Sequence, residues 1–441
     1  MNAQPKIVTR RDFLGQVALY GLTVGAGAAL GSDAQAAQKA PSRGPFEGVS
    51  LTWEDPDWYK PSLMVFIKAF SAGWAAANKA EVTVTRSSLE ELLQKGAILA
   101  ETGIGPDIYG QRTHVPSLYP KAFADVGDIC GELEKRDGPW SPAAIAWCKV
   151  DGVWRGVPMV HFPGAWNYRQ DLMEQAGWKE FPKTMDELLE FAKVMHKFGK
   201  PIGLAMGHAA SDGNRAMYAM FWAMGGREVD KTGTKIELDS PGTADALEYM
   251  KKLFPYMHEG VLSWLDPSNN QAFFAGTCSA TINVDTIYLA ARDQKLPWVK
   301  NMRHAPQPKG PGGQPVYQEG IAVGINARSK NIAAAKALLR AFFDTKTFAA
   351  WLKDGEGYIT SPLSRYSMAE YLPADPIIKE IPTYQADSRM PGWPGPFGPK
   401  PAEAMNKFII VNMMAKAAQG ENTRDIIKWG VDEYKQIYAK N

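Results

Sequence analysis

The sequence predicts an α/β protein built as two lobes. The chain has 441 residues, more than one compact core usually organises, so two lobes are expected. Short β-branched runs alternate with helix-patterned segments, the order of a parallel sheet covered by helices. Hydrophobic residues are 45% and charged residues 22% of the chain, a balance that suits a globular protein and argues against disorder. The formal net charge of +2 gives no long-range field for nucleic acid or an anionic membrane. No basic stripe with interleaved aromatics is present either, so nucleic-acid binding is set aside.

The first segment reads as an export signal. Arg10 and Arg11 precede a glycine-diluted apolar stretch from Phe13 to about Leu30, which ends near Ala34-Gln35-Ala36, a small-x-small cleavage pattern. This resembles a twin-arginine signal over residues 1–36. Its glycines and Gln16 weaken it as a membrane span. The remaining chain keeps a charge of about +1. Twin-arginine signals serve proteins that fold before export, which raises the question of a cofactor. The three cysteines, Cys130, Cys148 and Cys278, form no C-x-x-C. The six histidines form no i, i+4 pair, and "HEGVL" at His258 lacks the second histidine of a zinc-protease motif. No cofactor or metal is expected. Cys130 and Cys148 are open to two readings, a disulfide in an oxidising compartment or two buried thiols, with Cys278 unpaired.

After a Pro/Ser/Gly linker, "GVSLTWEDPDW" alternates Val49, Leu51 and Trp53 with polar residues, the period of a strand. "EDPDWYKPS" ends it, and a helix is expected to about Lys79. "VTVT" (82–85) is a second strand, "SLEELLQKGAILAE" a helix, and "GPDIYGQRT" leads into a third strand. Thr184 and Glu187 form a T-x-x-E capping box before Met185, Leu188, Leu189 and Ala192 at helical spacing, and Gly199 ends that helix. In "DSPGTADALEYMKKLF", Ser240 caps, Pro241 fits the first turn, and Leu247, Met250 and Phe254 share a face. A strand follows from about Ser279 to Val284, another from Ile321 to Ile325, and then a helix from about Ile332 to Phe343. The last ninety or so residues are turn-rich before a final amphipathic helix.

The segment "GVWRGVPMVHFPGAWNYRQDLMEQAGWKEFPKTMDELLEFAKVM" resembles the centre of extracellular solute-binding proteins of the maltose-binding type. "AFFAGTCSATINVDT", "GIAVGINARSKNIAAAKALLRAFFD" and "GPDIYG" resemble further motifs of that family, in the family's order. The chain departs from it at "NVDT", where a sugar-stacking tryptophan is common. The resemblance implies two α/β lobes, a ligand cleft between them and three hinge crossings. It assigns residues 37–158 with 284–328 to the first lobe and 159–283 with 329–441 to the second. Pro158 to Phe162 would be the first crossing. It further implies a monomeric periplasmic receptor that hands a sugar or polyol to an inner-membrane ABC permease.

Open α/β lobes bind at the carboxyl ends of their strands. The candidates there are Trp53, Glu54 and Asp57 after the first strand, and Gln111 and Arg112 after "PDIYG". Asp285 follows "SATINV", and Glu319 precedes "IAVGI". His161 and Trp166 are expected to face the cleft, with Val157, Val160 and Leu172 in the core. The resemblance adds Trp222 and Tyr358, and Trp393 lies in a proline-glycine loop. Carboxylates accept strong hydrogen bonds from paired hydroxyls, and an indole covers the apolar face of a sugar ring. A competing reading is a secreted glycoside hydrolase or lyase pairing Glu54 with Glu319. No G-x-S-x-G, P-loop or H-E-x-x-H supports an enzyme.

Overall fold

The structure, a computed structural model, describes residues 45–367 and 374–440. The expected export signal lies outside the described residues. Eight strands of four residues or more carry two sheets: β1 (Ser50–Pro56), β2 (Glu81–Ser87), β3 (Ile108–Arg112), β4 (Val157–His161), β5 (Ala165–Arg169), β6 (Ala280–Asn283), β7 (Met302–Ala305) and β8 (Gly320–Ile325). The first sheet has the order β2-β1-β3-β8-β4 and the second β6-β5-β7.

In the first sheet β1 pairs parallel with β2 and β3, as the strand–helix alternation predicts. The crossovers that parallel neighbours require are α1 (Pro61–Asn78) and α2 (Leu89–Thr102). Ser88 and Glu91 cap α2 reciprocally. By contrast β8 runs antiparallel to both β3 and β4, so the sheet is mixed. It returns from the second sheet and is under no crossover constraint. Its register pairs Ile321 with Arg112 and Gly320 with His161. A Cβ on Gly320 would lie 2.0 Å from the Val160 carbonyl oxygen, so only glycine lets the strands approach here.

The second sheet is antiparallel, with Trp166 of β5 opposite Ile282 of β6 and Ala305 of β7. Helix α3 (Met185–Lys197) starts on the expected capping box, Thr184 Oγ1 accepting from the Glu187 N–H at 3.2 Å. α4 (Asp212–Ala223) is buried along its whole length and packs on β6. α5 (Pro241–Leu253) is capped by Ser240. α6 (Asp266–Phe274) and α7 (Thr286–Asp293) flank β6.

Two assignments shift. Residues 302–305, expected with the first lobe, form β7 of the second sheet. α8 (Ile332–Phe342) and α9 (Thr345–Asp354), expected with the second lobe, pack on α1 of the first. Their apolar faces are covered there, with Phe342 edge-on to Trp53 at 5.5 Å. The returning chain thus serves both lobes, because α8 finds its complementary apolar surface on the first sheet. Of the two readings open for Cys130 and Cys148, the structure has the buried, unpaired thiols, and Cys278 is likewise buried and unpaired. Burial raises all three thiols, Cys278 to about 12, so they stay protonated. No helix among the described residues is long and apolar enough to cross a membrane.

Candidate ligand-binding cleft

Between the two sheets lies a pocket that opens to solvent. The segments ending β1, β4 and β6, the first turns of α4 and α6, and the residue preceding β8 all reach it.

One wall is aromatic. Strand period 2 turns Asp55 and Trp53 to one face of β1 and Glu54 to the other. Asp55 is fully buried, and its Oδ2 accepts a hydrogen bond from Trp58 Nε1 at 2.7 Å. Burial pushes this carboxyl up to about 7, against the opposing pull of its indole donors. The bond fixes Trp58 at the turn after β1. Trp58 stands edge-on to Tyr358 at 6.3 Å and tilted to Phe162 at 6.2 Å. Phe162 and Tyr358 stack at 5.3 Å. These three rings and Tyr59 line the pocket.

The other wall is ionic. The antiparallel register pairs Arg112, at the end of β3, with Ile321, which leaves Glu319, two residues earlier and just before β8, within side-chain reach of that arginine. Glu319 Oε2 accepts from Arg112 Nη2 at 3.2 Å. Its Oε1 accepts from Arg215 Nη2 and from Ser211 Oγ, both on the second lobe. A buried carboxylate from the first sheet therefore ties an arginine of each lobe. Behind this, Asp266 accepts from the Ser211 and Asp212 N–H groups at 2.8 to 3.1 Å, a carboxylate at the start of α4. Asp212 Oδ2 accepts from Asn269 at 2.9 Å and Asn283 at 3.1 Å. Burial, and for Asp212 the neighbouring Asp266 charge, raise both carboxyls well above the usual range.

The structure brings Asp57, Glu319 and Tyr358 to the pocket, with Arg112 directly behind Glu319. Asp285 sits just outside, fully buried between Val284 and Thr286, which line it. The other candidates are elsewhere. Glu54 faces away from Asp55 and is held by Ser87 Oγ and Lys95 Nζ. Trp53 is core, against Phe342. Gln111 donates to the Arg155 carbonyl at 3.0 Å. His161 is hydrogen-bonded to Ser141 and Gln318 and packs on Trp147 at 5.0 Å; burial lowers it to about 4, so it is neutral. Trp166 is buried and donates to Gln307. Trp222 is fully buried, stacked on Tyr317 at 6.2 Å. Trp393 lies under the Arg389 guanidinium at 3.8 Å and lines no part of the pocket. Each of these indoles, like Gln111 and His161, is taken up by a local apolar or hydrogen-bonding partner.

The residues that sequence reasoning missed are Trp58, Tyr59, Phe162, Ser211, Asp212, Arg215, Asp266 and Asn283. Two signals pointed to them. "DWYKP" places two aromatics between a strand end and a proline helix start, and "SDGNR" and "LDPSNN" open helices with polar runs. Trp53→Ala and Trp222→Ala are therefore expected to cost stability, about 3–5 kcal/mol each, measured by urea denaturation. Trp58→Ala is expected to weaken solute binding instead, by roughly 1–3 kcal/mol in calorimetric titration. Unchanged affinity in a folded Trp58 variant would remove the aromatic wall from the site.

Among the described residues no group of three His, Cys, Asp or Glu side chains could hold a metal ion. The profile of the bacterial extracellular solute-binding protein family matches residues 66–380. A probable ABC transporter-binding protein of Deinococcus radiodurans is 27% identical over 208 residues, 45% of this chain and 49% of that one. The putative ABC transporter periplasmic-binding protein YcjN of Escherichia coli is 33% identical over 134 residues, 30% of each chain. The chain spans about half the length, or less, of these curated relatives. Among solved structures, maltose-bound MalE3 of T. maritima superposes with a TM-score of 0.75 at 20% identity, over 88% of this chain and 100% of that one. A solute-binding protein of Agrobacterium vitis with bound D-mannitol gives 0.71 at 18% identity, over 89% and 99%. At such identities the likeness is one of fold, and it is the two-lobed fold expected from the sequence.

Proposed function

The chain belongs to the bacterial extracellular solute-binding protein family, and from that premise we propose that it is the periplasmic receptor of an ABC importer for a sugar or polyol. The observation that carries the reading is the pocket itself, with rings on one wall and buried hydrogen-bonding groups from both lobes on the other. Trp58, Phe162 and Tyr358 suit the C–H face of a polyhydroxylated solute, and Asp212, Asn283, Arg215 and Glu319 suit its hydroxyls. The bound maltose and D-mannitol of the two structural relatives are of this class. A ligand that touches both lobes favours the closed form by its differential affinity for that form. The permease would then read closure. Arg10 and Arg11 would direct export by the twin-arginine route.

The hydrolase reading loses its carboxylate pair. Glu54 faces away and is held by Lys95, and Glu319 is held by two arginines. The test is a thermal-shift screen of mature protein from the periplasmic fraction against sugars and polyols. A true ligand at a hundredfold its Kd should add about 2.7 kcal/mol and be recovered intact. No shift with any member, or conversion of the solute, refutes the receptor reading.

A further inference from the structure

The acidic groups around the pocket outnumber the basic ones. Four carboxylates line it, Asp57, Asp212, Asp266 and Glu319, against one cation, Arg215. Pairing from behind settles two of them. Arg86 holds Asp57 at 3.1 Å, and Arg112 with Arg215 holds Glu319. Asp266 directs both oxygens to backbone N–H groups at the start of α4.

Asp212 is different. Its Oδ2 is satisfied by two asparagine amides, but Oδ1 has only Arg215 Nε at 3.7 Å, beyond hydrogen-bonding reach. That arginine is already committed to Glu319. This oxygen belongs to the pocket lining, and without a protein donor it is left for a proton or for a donor group of the solute.

Two further groups of the lining lack protein partners. Arg215 Nη1 has no acceptor, and the Thr286 hydroxyl has no partner, although both residues are buried. These seek oxygen acceptors or exchange hydrogen bonds with hydroxyls. Opposite stand the rings of Trp58, Phe162 and Tyr358, whose faces attract a cation as well as C–H groups.

Resting on the reading of this pocket as the solute site, we propose that the solute carries a protonated amine alongside its hydroxyls: an amino sugar or an amino alditol. The ammonium is taken by Asp212 Oδ1 with the aromatic wall, and hydroxyl oxygens by Arg215 and Thr286. An acidic sugar is disfavoured, because both arginines that could receive it already neutralise Glu319.

The experiment titrates the mature protein calorimetrically at pH 7 with three sets of probes. These are glucosamine, galactosamine, mannosamine and glucamine; their neutral parents glucose, galactose, mannose and glucitol; and the N-acetyl hexosamines. The best amine is expected to bind at least tenfold more tightly than its own parent, with N-acetylation removing the gain. Asp212→Asn is expected to erase the preference, read as the ratio of amine to parent affinity within that variant, whatever the change does to parent binding itself. If that variant does not fold, the ranking on the unaltered protein decides alone. Neutral parents binding as tightly as the amines would overturn the charge preference and leave the sugar receptor standing. Binding of none of the sets, or of a diamine such as putrescine alone, would overturn both.

Discussion

Glu319→Gln is expected to produce the largest loss of stability of any single change at the cleft, about 3–5 kcal/mol. Its carboxylate is the shared acceptor for Arg112, Arg215 and Ser211, and all four side chains are buried. Glutamine keeps the shape and removes the charge, so two guanidinium groups remain enclosed with one compensating anion fewer. Denaturation with urea measures the loss. The double variant Glu319→Gln with Arg215→Gln should lose less than the sum of its parts, since the second change removes a charge that the first leaves unpaired. Because Arg215 belongs to α4 on the second lobe and Arg112 to β3 on the first, the single variant should also give a more open average shape in small-angle scattering. A loss below about 1 kcal/mol, the range of exposed pairs, would mean that the network is solvated and ties nothing.

Asp285→Asn is expected to do the opposite, raising stability at neutral and mildly alkaline pH. Asp285 immediately precedes α7, fully buried, and neither carboxylate oxygen has a protein partner. Burial pushes it from 3.8 to about 8, outweighing the nearby Lys60 and Arg292 charges; Glu356 adds to the rise. Between these two values the folded protein keeps a proton that the unfolded chain has lost. Stability contributed by the neutral carboxyl is therefore full below pH 4 and is lost as pH rises toward 8. Each unit corresponds to about 1.4 kcal/mol, so the variant should gain several kcal/mol at pH 7.5, with the gain vanishing near pH 4. Melting curves across that range check both limits. A variant no more stable at pH 7.5 would show an ionised Asp285 held by Lys60 and Arg292.

The contrast between Glu54 and Asp55 shows how far sequence reasoning reached into the cleft. "LTWEDPDW" announces a strand and a carboxyl-rich end near a binding edge, and that much holds. Adjacent residues on a strand point to opposite faces, so one position decides between Lys95 on one side and Trp58 on the other. The aromatics divide for a similar reason. Trp222 and Trp58 are equally apolar, yet one lies within an all-buried helix and the other in a turn held by Asp55.

By itself the sequence determined the elements and their class. Period-2 runs, the Thr184–Glu187 box, Ser240 with Pro241 and the closing glycines act through bonds a few residues apart, so they are readable in one dimension. It also marked Asp57, Glu319 and Tyr358, which end near chain reversals that face the cleft. The tertiary structure alone decided that β8 runs antiparallel to β3, that residues 332–354 pack on the first lobe, and that Arg112 and Arg215 converge on one carboxylate. Those outcomes rest on register and packing between segments some hundred or more residues apart, where the burial energy of whole faces outweighs any local preference.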